Sequence, residues 1–328
     1  MASNQRLTYF NKHLTDSLWD LWCIASGIGI WPRFIEPKLL KVSKKTITIE
    51  QLPKSLEGLR LLQFSDLHFK KNTSNRFLKK IQRKVAELSP DIIVFTGDFI
   101  CHSNLHDPNA LKDFLNVFKA PYGCYAVLGN HDYSEPVSLN DQGEYDVVSN
   151  SSSLISQGFS RLFKKVHLAK RSTPRASAIA THPKLIELLA KTPFTLLNNA
   201  NICIPIGNSA LNICGLGEYI LGKTDPATAF KDYDNRYPGI ILLHNPDGLR
   251  LLEKFPGEIV LSGHTHGGQV NLPWMWQKFT LLENPQFKSG LMQSHGKWIY
   301  INRGVGANMP FRWFAPPELL LMTLEASK

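Results

Sequence analysis

Five short clusters of aspartate, asparagine and histidine recur along the chain, and each directly follows an apolar stretch typical of a buried β-strand. A single Asp-x-His after a strand is ordinarily a loop, and a lone buried histidine is ordinarily hydrogen-bonded within the fold. Five such clusters in order, bordered by glycine or turn residues, indicate instead that distant stretches of chain meet in one pocket. The clusters are Asp66-Leu67-His68, Gly97-Asp98, Gly129-Asn130-His131-Asp132, His244 and Gly263-His264-Thr265-His266.

The periodicity between the clusters predicts alternating strands and helices, which is typical of an α/β layered sandwich. The predicted strands are 46–50, 59–64, 91–96, 123–128, 239–243, 258–262, 297–301 and 318–324. The predicted helices are 75–88, 110–118 and 249–255, and a hairpin is predicted at 201–206 and 210–214. The chain therefore divides into an N-terminal segment, 1–45, and a folded domain, 46–328.

Residues 134–192 interrupt this alternation and are interpreted as an insertion in the folded domain. The insertion is rich in basic residues, including Arg161, Lys164, Lys165, Lys170, Arg171, Arg175 and Lys184. It is either a solvated basic loop and helix pair or a cap that meets an anionic substrate or membrane. The cap is favoured because the insertion leaves from a predicted ligand loop, and Lys164 and Lys165 are its candidate substrate-binding residues. The net charge of +10 also favours an anionic partner.

The apolar run from Leu14 to Trp31 is too short and too polar to span a bilayer comfortably. On a helical wheel its apolar residues share one face, with Asp16 and Asp20 opposite. The helix either lies in a membrane interface or docks on the protein's own core, and its tryptophans favour the membrane. We expect the segment to hold the protein at a membrane surface. The five scattered cysteines, which form no zinc-ribbon or disulfide pattern, fit a reducing cytosol.

Carboxylate, amide and imidazole ligands without thiolates suit hydrolytic cations rather than a structural zinc. Mn²⁺ is the favoured metal, and Fe²⁺ and Zn²⁺ accept the same ligands. Two such cations share a bridging carboxylate and clamp the attacking and leaving oxygens of a phosphoryl displacement. Asp98 is the candidate bridge.

Together the clusters resemble the ordered motifs of the calcineurin-like metallophosphoesterase family over residues 59–325. The resemblance implies a four-layer sandwich in which two packed mixed β-sheets are flanked by helices. It also implies a two-metal hydrolase of phosphoester or phosphoanhydride bonds. One metal would take Asp66, His68, Asp98 and His266, and the other Asp98, Asn130, His244 and His264.

The same resemblance places Asn130 and His131 against the phosphate, with His131 as general acid or transition-state stabiliser. Asp132 either orients His131 or fills a structural capping role. Arg303 either reaches a phosphate oxygen or forms a structural ion pair. The histidines without strand-end framing are expected at the surface, and they include His102, His106, His167, His182 and His295.

Within the family the chain resembles the membrane-associated bacterial branch through Leu243-His244-Asn245-Pro246-Asp247 and Ser262-Gly263-His264-Thr265-His266-Gly267-Gly268-Gln269. This resemblance implies a peripheral protein at the cytoplasmic face of a bacterial inner membrane. The implied substrate is UDP-2,3-diacylglucosamine of lipid A synthesis, cleaved to UMP and 2,3-diacylglucosamine 1-phosphate (lipid X). Its acyl chains would be covered by the aromatic stretch Trp274, Trp276, Phe279, Phe311, Trp313 and Phe314, for which core packing is the alternative. Another two-metal phosphodiesterase, such as a nuclease or cyclic-nucleotide enzyme, and a non-catalytic scaffold are the other candidate functions. Nucleic acid is disfavoured because the basic stretch lacks interleaved aromatic residues.

Overall fold

Two six-stranded mixed sheets form the centre of the computed structural model, which describes residues 15–24, 27–147, 168–273, 276–280, 282–309 and 311–327. The first sheet has the order β1-β14-β2-β3-β4-β7, with β1 Lys41–Ile49, β2 Arg60–Phe64, β3 Ile92–Thr96, β4 Cys124–Val127, β7 Phe194–Leu196 and β14 Glu318–Ala326. The second has the order β12-β13-β11-β10-β9-β8, with β8 Ala200–Ile206, β9 Ser209–Gly215, β10 Gly239–Leu242, β11 Ile259–Ser262, β12 Gly290–Ser294 and β13 Lys297–Ile301. A separate hairpin pairs β5 Val137–Leu139 with β6 Tyr145–Val147.

The central strands of each sheet are parallel, so their carboxyl ends lie at one edge. In the first sheet β2, β3, β4 and β7 run parallel, with Phe64 opposite Phe95. In the second sheet β9, β10, β11 and β13 run parallel, with Leu242 opposite Leu261. This arrangement brings the residues that follow each central strand to a common edge.

The two sheets pack face to face, which explains why the central strands are buried over almost their whole length. Leu61 and Val94 of the first sheet share one buried cluster with Ile240 and Leu242 of the second. The alternate residues of the first sheet pack outward against the helix Asn75–Leu88. The sequence prediction of an α/β metallophosphoesterase sandwich is therefore confirmed.

The α-helices of the described residues are α1 (15–24), α2 Gly27–Ile30, α3 Asn75–Leu88, α4 Pro108–Asn116, α5 Pro174–Ala178, α6 Pro183–Leu189, α7 Pro226–Ala229 and α8 Trp276–Phe279. The prediction for α3 is confirmed at both ends of the helix, and Ser74 caps its first turn. The α-helix predicted at 249–255 is wrong, because Pro246–Leu252 form a 3₁₀-helix that starts at the Asn245 cap.

Helix α1 docks on the domain and also exposes apolar side chains. Cys23 is buried and Trp19 packs edge-to-face on Phe311, with 5.6 Å between ring centroids. On the other side Leu21 is 63% and Trp22 is 55% exposed. No helix among the described residues is long and apolar enough to cross a bilayer.

Much of the predicted insertion, including Lys164 and Lys165, lies outside the described residues. Its described end supplies α5 and α6 and leads into the edge strand β7. The domain limits 1–45, 46–328 and 134–192 remain predictions, and β1 begins at Lys41, ahead of the predicted strand.

Candidate metal centre

The structure brings all seven predicted ligands to the common edge of the two sheets. Asp66 and His68 follow β2, Asp98 follows β3 and Asn130 follows β4; from the second sheet, His244 follows β10 and the pair His264 and His266 follows β11. Six of the seven are buried, and His264 is partly exposed. The site is therefore built between the sheets, with both contributing ligands.

The first group of donors converges around His68. Its Nε2 lies 2.9 Å from Nε2 of His266 and 3.5 Å from Oδ2 of Asp98. Nε2 of His266 lies 3.7 Å from Oδ1 of Asp66. Asp66, His68 and His266 are thus close enough to act on one cation.

The second group shares Asp98 with the first. Oδ2 of Asp98 lies 3.3 Å from Nε2 of His244. Nδ1 of His264 lies 3.0 Å from Oδ1 of Asn130. A carboxylate common to both groups is what a pair of neighbouring cations requires.

The hydrogen bonding of His244 indicates whether these residues fit a cation. Its Nδ1–H donates to the carbonyl oxygen of Thr96 at 2.7 Å, so Nε2 of the neutral ring carries a lone pair. This Nε2 is buried without a hydrogen-bond partner among the described residues and faces the Asp98 carboxylate. Two acceptors in such contact need a positive charge between them, and a divalent cation fits this position.

The electrostatics of the centre support the same conclusion. Burial holds the pKa of His68 well below its usual range, and burial together with Arg312 does the same for His266, so both rings are neutral. Burial also opposes protonation of His244, but the Asp98 carboxylate outweighs it and raises the pKa of His244 well above the usual range. The space between Asp98 and His244 thus attracts positive charge, which a cation would supply in place of a proton.

Five of the seven predicted ligands adopt the left-handed backbone region, which L-residues rarely enter. Their φ angles are +53° for Asp66, +45° for His68, +62° for Asp98, +67° for His264 and +50° for His266. Each such residue costs about 1 kcal/mol or more, and the surrounding structure must enforce it. Five of the fourteen non-glycine residues with positive φ in the described chain are therefore predicted ligands, which is consistent with a backbone geometry that serves the site.

Comparison with known proteins identifies the family of the chain. Residues 59–268 match the family described as Calcineurin-like phosphoesterase. The chain belongs to the calcineurin-like phosphoesterase family. It is a hydrolase that acts on phosphoester or pyrophosphate bonds and uses divalent metal ions.

Similar members of this phosphoesterase family include two chlamydial proteins. The chain is 40% identical to UDP-2,3-diacylglucosamine pyrophosphatase LpxG of Chlamydia muridarum, over 89% of this chain and 92% of the relative. It is 38% identical to the protein of the same name from Chlamydia trachomatis, over 94% of this chain and 96% of the relative. It is also 27% identical to the uncharacterized metallophosphoesterase YkuE of Bacillus subtilis, over 92% of this chain and 91% of the relative.

His131 of this phosphoesterase lies beside the predicted ligands. Its backbone N–H donates to Oδ1 of Asp98 at 2.9 Å, and its ring centroid is 4.8 Å from that of His68. Its Nδ1 accepts from the backbone N–H of His102 at 2.8 Å, so Nε2 of the neutral ring carries the proton. The expectation that His102 is a surface residue is wrong, because its ring packs 4.7 Å from the His131 ring and its backbone orients that ring.

The other histidines expected at the surface differ in their solvent exposure. His106 and His295 are exposed, as predicted, and His167 lies outside the described residues. His182 is half-buried, because its Nδ1 caps α6 by accepting from the backbone N–H of Leu185.

Asp132 takes the capping role rather than orienting His131. Its buried carboxylate accepts three backbone N–H groups, from Asp98 at 2.8 Å, Ile100 at 3.0 Å and Gly129 at 3.0 Å. It therefore ties the loop after β3 to the loop after β4.

Arg303 forms the structural ion pair that the sequence left open. Its guanidinium lies 2.9 Å from Oε1 of the buried Glu318. The neighbouring Arg312 is 0% exposed and lies 3.2 Å from Nδ1 of His266, while donating to the carbonyls of Arg303 at 2.9 Å and Ala315 at 2.7 Å. Arg312 thus fixes the loop after β13 against His266, and its position in an aromatic stretch offered no sequence signal of this.

Glu218 is a further buried carboxylate that the sequence analysis missed. It lies just beyond the end of β9, beside β10, and is 1% exposed, with Oε2 lacking a hydrogen-bond partner among the described residues. Burial raises the pKa of Glu218 to about 7. His244 acts to lower this pKa, and Asp98 acts to raise it. Its place after a parallel strand is the same signal that marked the five clusters, but a lone glutamate did not reveal it.

Proposed function

We propose that the chain hydrolyses the diphosphate of UDP-2,3-diacylglucosamine to UMP and 2,3-diacylglucosamine 1-phosphate, a step of lipid A synthesis. The observation that carries the proposal is the 38–40% identity, over nearly the whole chain, to two proteins that bear the name of this pyrophosphatase. The grouped donors at the sheet edge supply the chemistry that such a hydrolysis needs.

In this proposal two divalent cations, Mn²⁺ being favoured, occupy the two donor groups. Asp66, His68, Asp98 and His266 would hold one, and Asp98, Asn130, His244 and His264 the other. When bound, such cations neutralise phosphoryl oxygens and make water acidic enough to attack phosphorus at neutral pH. The chain's own contribution is to hold these donors in place before substrate arrives.

His131 has the role of a hydrogen-bond donor to the phosphoryl group. Because the backbone N–H of His102 donates to Nδ1, the neutral ring carries its proton on Nε2, which lies 3.3 Å from the side-chain amide of Asn308. Burial lowers the pKa of His131, so the ring is neutral and donates a hydrogen bond while keeping its proton at rest. Stabilisation of developing negative charge is therefore favoured over full proton transfer.

The exposed apolar surface of α1 suits a substrate that resides in a membrane. Leu18, Leu21 and Trp22 are each more than half exposed, and Phe314, beyond β13, is 59% exposed. These side chains lie around the contact between Trp19 and Phe311. Phe311 precedes Arg312 in the chain, and Arg312 contacts His266, so the apolar surface is close to the metal centre. We propose that this surface enters the cytoplasmic face of the bacterial inner membrane and that the protein is peripheral.

The substrate is tested by incubating the Mn²⁺-loaded protein separately with UDP-2,3-diacylglucosamine and with single-stranded DNA. Release of UMP and lipid X from the first, with the DNA intact, is expected. DNA cleavage with the nucleotide lipid intact would replace the proposal with a nuclease.

The membrane surface is tested by flotation with liposomes that contain anionic lipid. The double variant Leu21→Ser/Trp22→Ser is expected to float less than the wild type. Val117→Ser is the matched control, because Val117 is 52% exposed in a different part of the molecule. Equal flotation of all three proteins would remove this surface from the proposal.

A further inference from the structure

A cavity of about 270 Å³ is lined in part by residues that follow β9 and β10. Three basic side chains, Lys170, Arg171 and Arg250, line it together with the aromatic rings of Tyr145 and Tyr219. We name it the basic cavity. Its volume is near the lower limit of about 300 Å³ for small-molecule sites, which is too small for two acyl chains.

Strand order fixes where the basic cavity lies relative to the ligands. Tyr219 follows β9, and Arg250 follows β10 after His244. In the second sheet these strands precede β11 and β13 in the order β9-β10-β11-β13. The cavity therefore lies toward the β9 side of the donors. Glu218, next to Tyr219 in the chain, interacts electrostatically both with His244 of the donors and with Tyr145 of the cavity.

The apolar surface lies on the opposite side of the same donors. The residues that contact α1 follow the other two strands, Val270 after β11 and Phe311 after β13. A substrate whose diphosphate sits at the donors would thus meet cations and phenol rings in one direction and an apolar surface in the other.

The lining of the basic cavity suits an anion attached to a flat ring. The guanidinium of Arg250 lies 5.4 Å from the centroid of the Tyr219 ring and only 3.8 Å from Glu283. Arg171 is paired with Glu144, whereas Lys170 forms no salt bridge with the described part of the chain. The buried hydroxyl of Tyr145 also lacks a hydrogen-bond partner among the described residues. The cavity therefore combines a lysine without a salt bridge, whose charge acts on the buried Asp247, with a ring face and an unsatisfied hydroxyl.

We propose that the basic cavity binds the nucleoside monophosphate half of the substrate, so that the acyl chains extend across the donors toward α1. This orientation rests on the proposed function. In it Lys170 and Arg250 attract the nucleotide's phosphate from the cavity side of the donors, and the aromatic rings contact the base and ribose.

The test measures binding of UMP, uridine and inorganic phosphate to the full chain by calorimetry, with EDTA present so that cations contribute nothing. The double variant Lys170→Gln/Arg250→Gln is expected to bind UMP about tenfold more weakly, the loss typical of one charge-assisted hydrogen bond. Lys254→Gln is the matched control, because Lys254 is exposed, lies four residues from Arg250 and does not line the cavity. The control is expected to bind UMP like the wild type.

Kinetics with UDP-2,3-diacylglucosamine distinguish this inference from the function on which it rests. The double variant is expected to raise KM at least fivefold while kcat stays within twofold of the wild type. Wild-type UMP affinity and KM in the double variant, with the wild type active, would overturn the inference alone. An inactive wild type would overturn the proposed function and this orientation together.

Discussion

Replacement of Gly129 by alanine tests whether the space between the donor groups is as tight as the structure indicates. A Cβ at this position would lie 2.7 Å from Cε1 of His244 and would collide with the carboxylate of Asp98. Since ordinary contact begins at 3.4 Å, the imidazole must move by about 0.7 Å. The φ of Gly129 is −104°, which alanine adopts readily, so the variant tests the collisions of the Cβ, which include the backbone nitrogen of Asp98 at 2.6 Å.

Both side chains are fully buried and lack room to move, so we expect the collision to displace the shared donor. A shift approaching 1 Å at a reacting site can cost about 100-fold in rate. Gly129→Ala should therefore lower kcat about 100-fold and weaken Mn²⁺ binding at least tenfold by calorimetry, with overpacking costing about 1–3 kcal/mol of stability.

Gly296→Ala provides the control, because its Cβ would meet nothing within 4 Å although its φ is +72°. This variant should lose about 1 kcal/mol of stability from backbone strain and keep its metal and its activity. Wild-type kcat and Mn²⁺ affinity in Gly129→Ala would show that the donors are not packed as described, and the steric reasoning would be wrong.

Asp98→Ala should abolish turnover and most metal uptake, measured by elemental analysis after dialysis, because both donor groups share this carboxylate; full metal content would contradict the shared role. His131→Ala should retain both metals and slow hydrolysis about 100-fold, and unchanged kcat would exclude it from the reaction. Glu318→Gln should destabilise the fold by about 3 kcal/mol in chemical denaturation, because Arg303 loses its buried partner. Burial opposes ionisation of Glu318, but Arg303 outweighs it and lowers the pKa of Glu318, so its stabilisation is present above about pH 4.5 and is lost as pH falls through the folded pKa. The wild type should therefore lose more stability than Glu318→Gln on acidification, and parallel pH curves would contradict this.

The convergence of the seven candidate donors could be predicted from sequence because each belongs to a cluster that follows a recognisable buried strand. The strand ends are informative because parallel strands place the residues that follow them at one edge of the sheet. Glu218 also follows a parallel strand, but it stands alone after the second strand of a hairpin. Its sequence context therefore did not distinguish it from a glutamate in an ordinary loop.

The features that the sequence could not provide depend on contacts between distant segments. His102 acts through its backbone N–H, which no side-chain pattern reveals. The partner of Arg303 became evident only when β14 was placed beside β2, with Glu318 reaching the loop after β13. The apolar face of α1 was visible in the sequence, but its docking through Trp19 and Cys23 depends on Phe311, almost 300 residues away.

Anomalous X-ray diffraction at the manganese edge, on crystals grown with Mn²⁺, tests the two-cation centre most directly. The account predicts two peaks per chain. One would lie among Asp66, His68, Asp98 and His266, and the other among Asp98, Asn130, His244 and His264. A single peak, or peaks away from the Asp98 carboxylate, would contradict it.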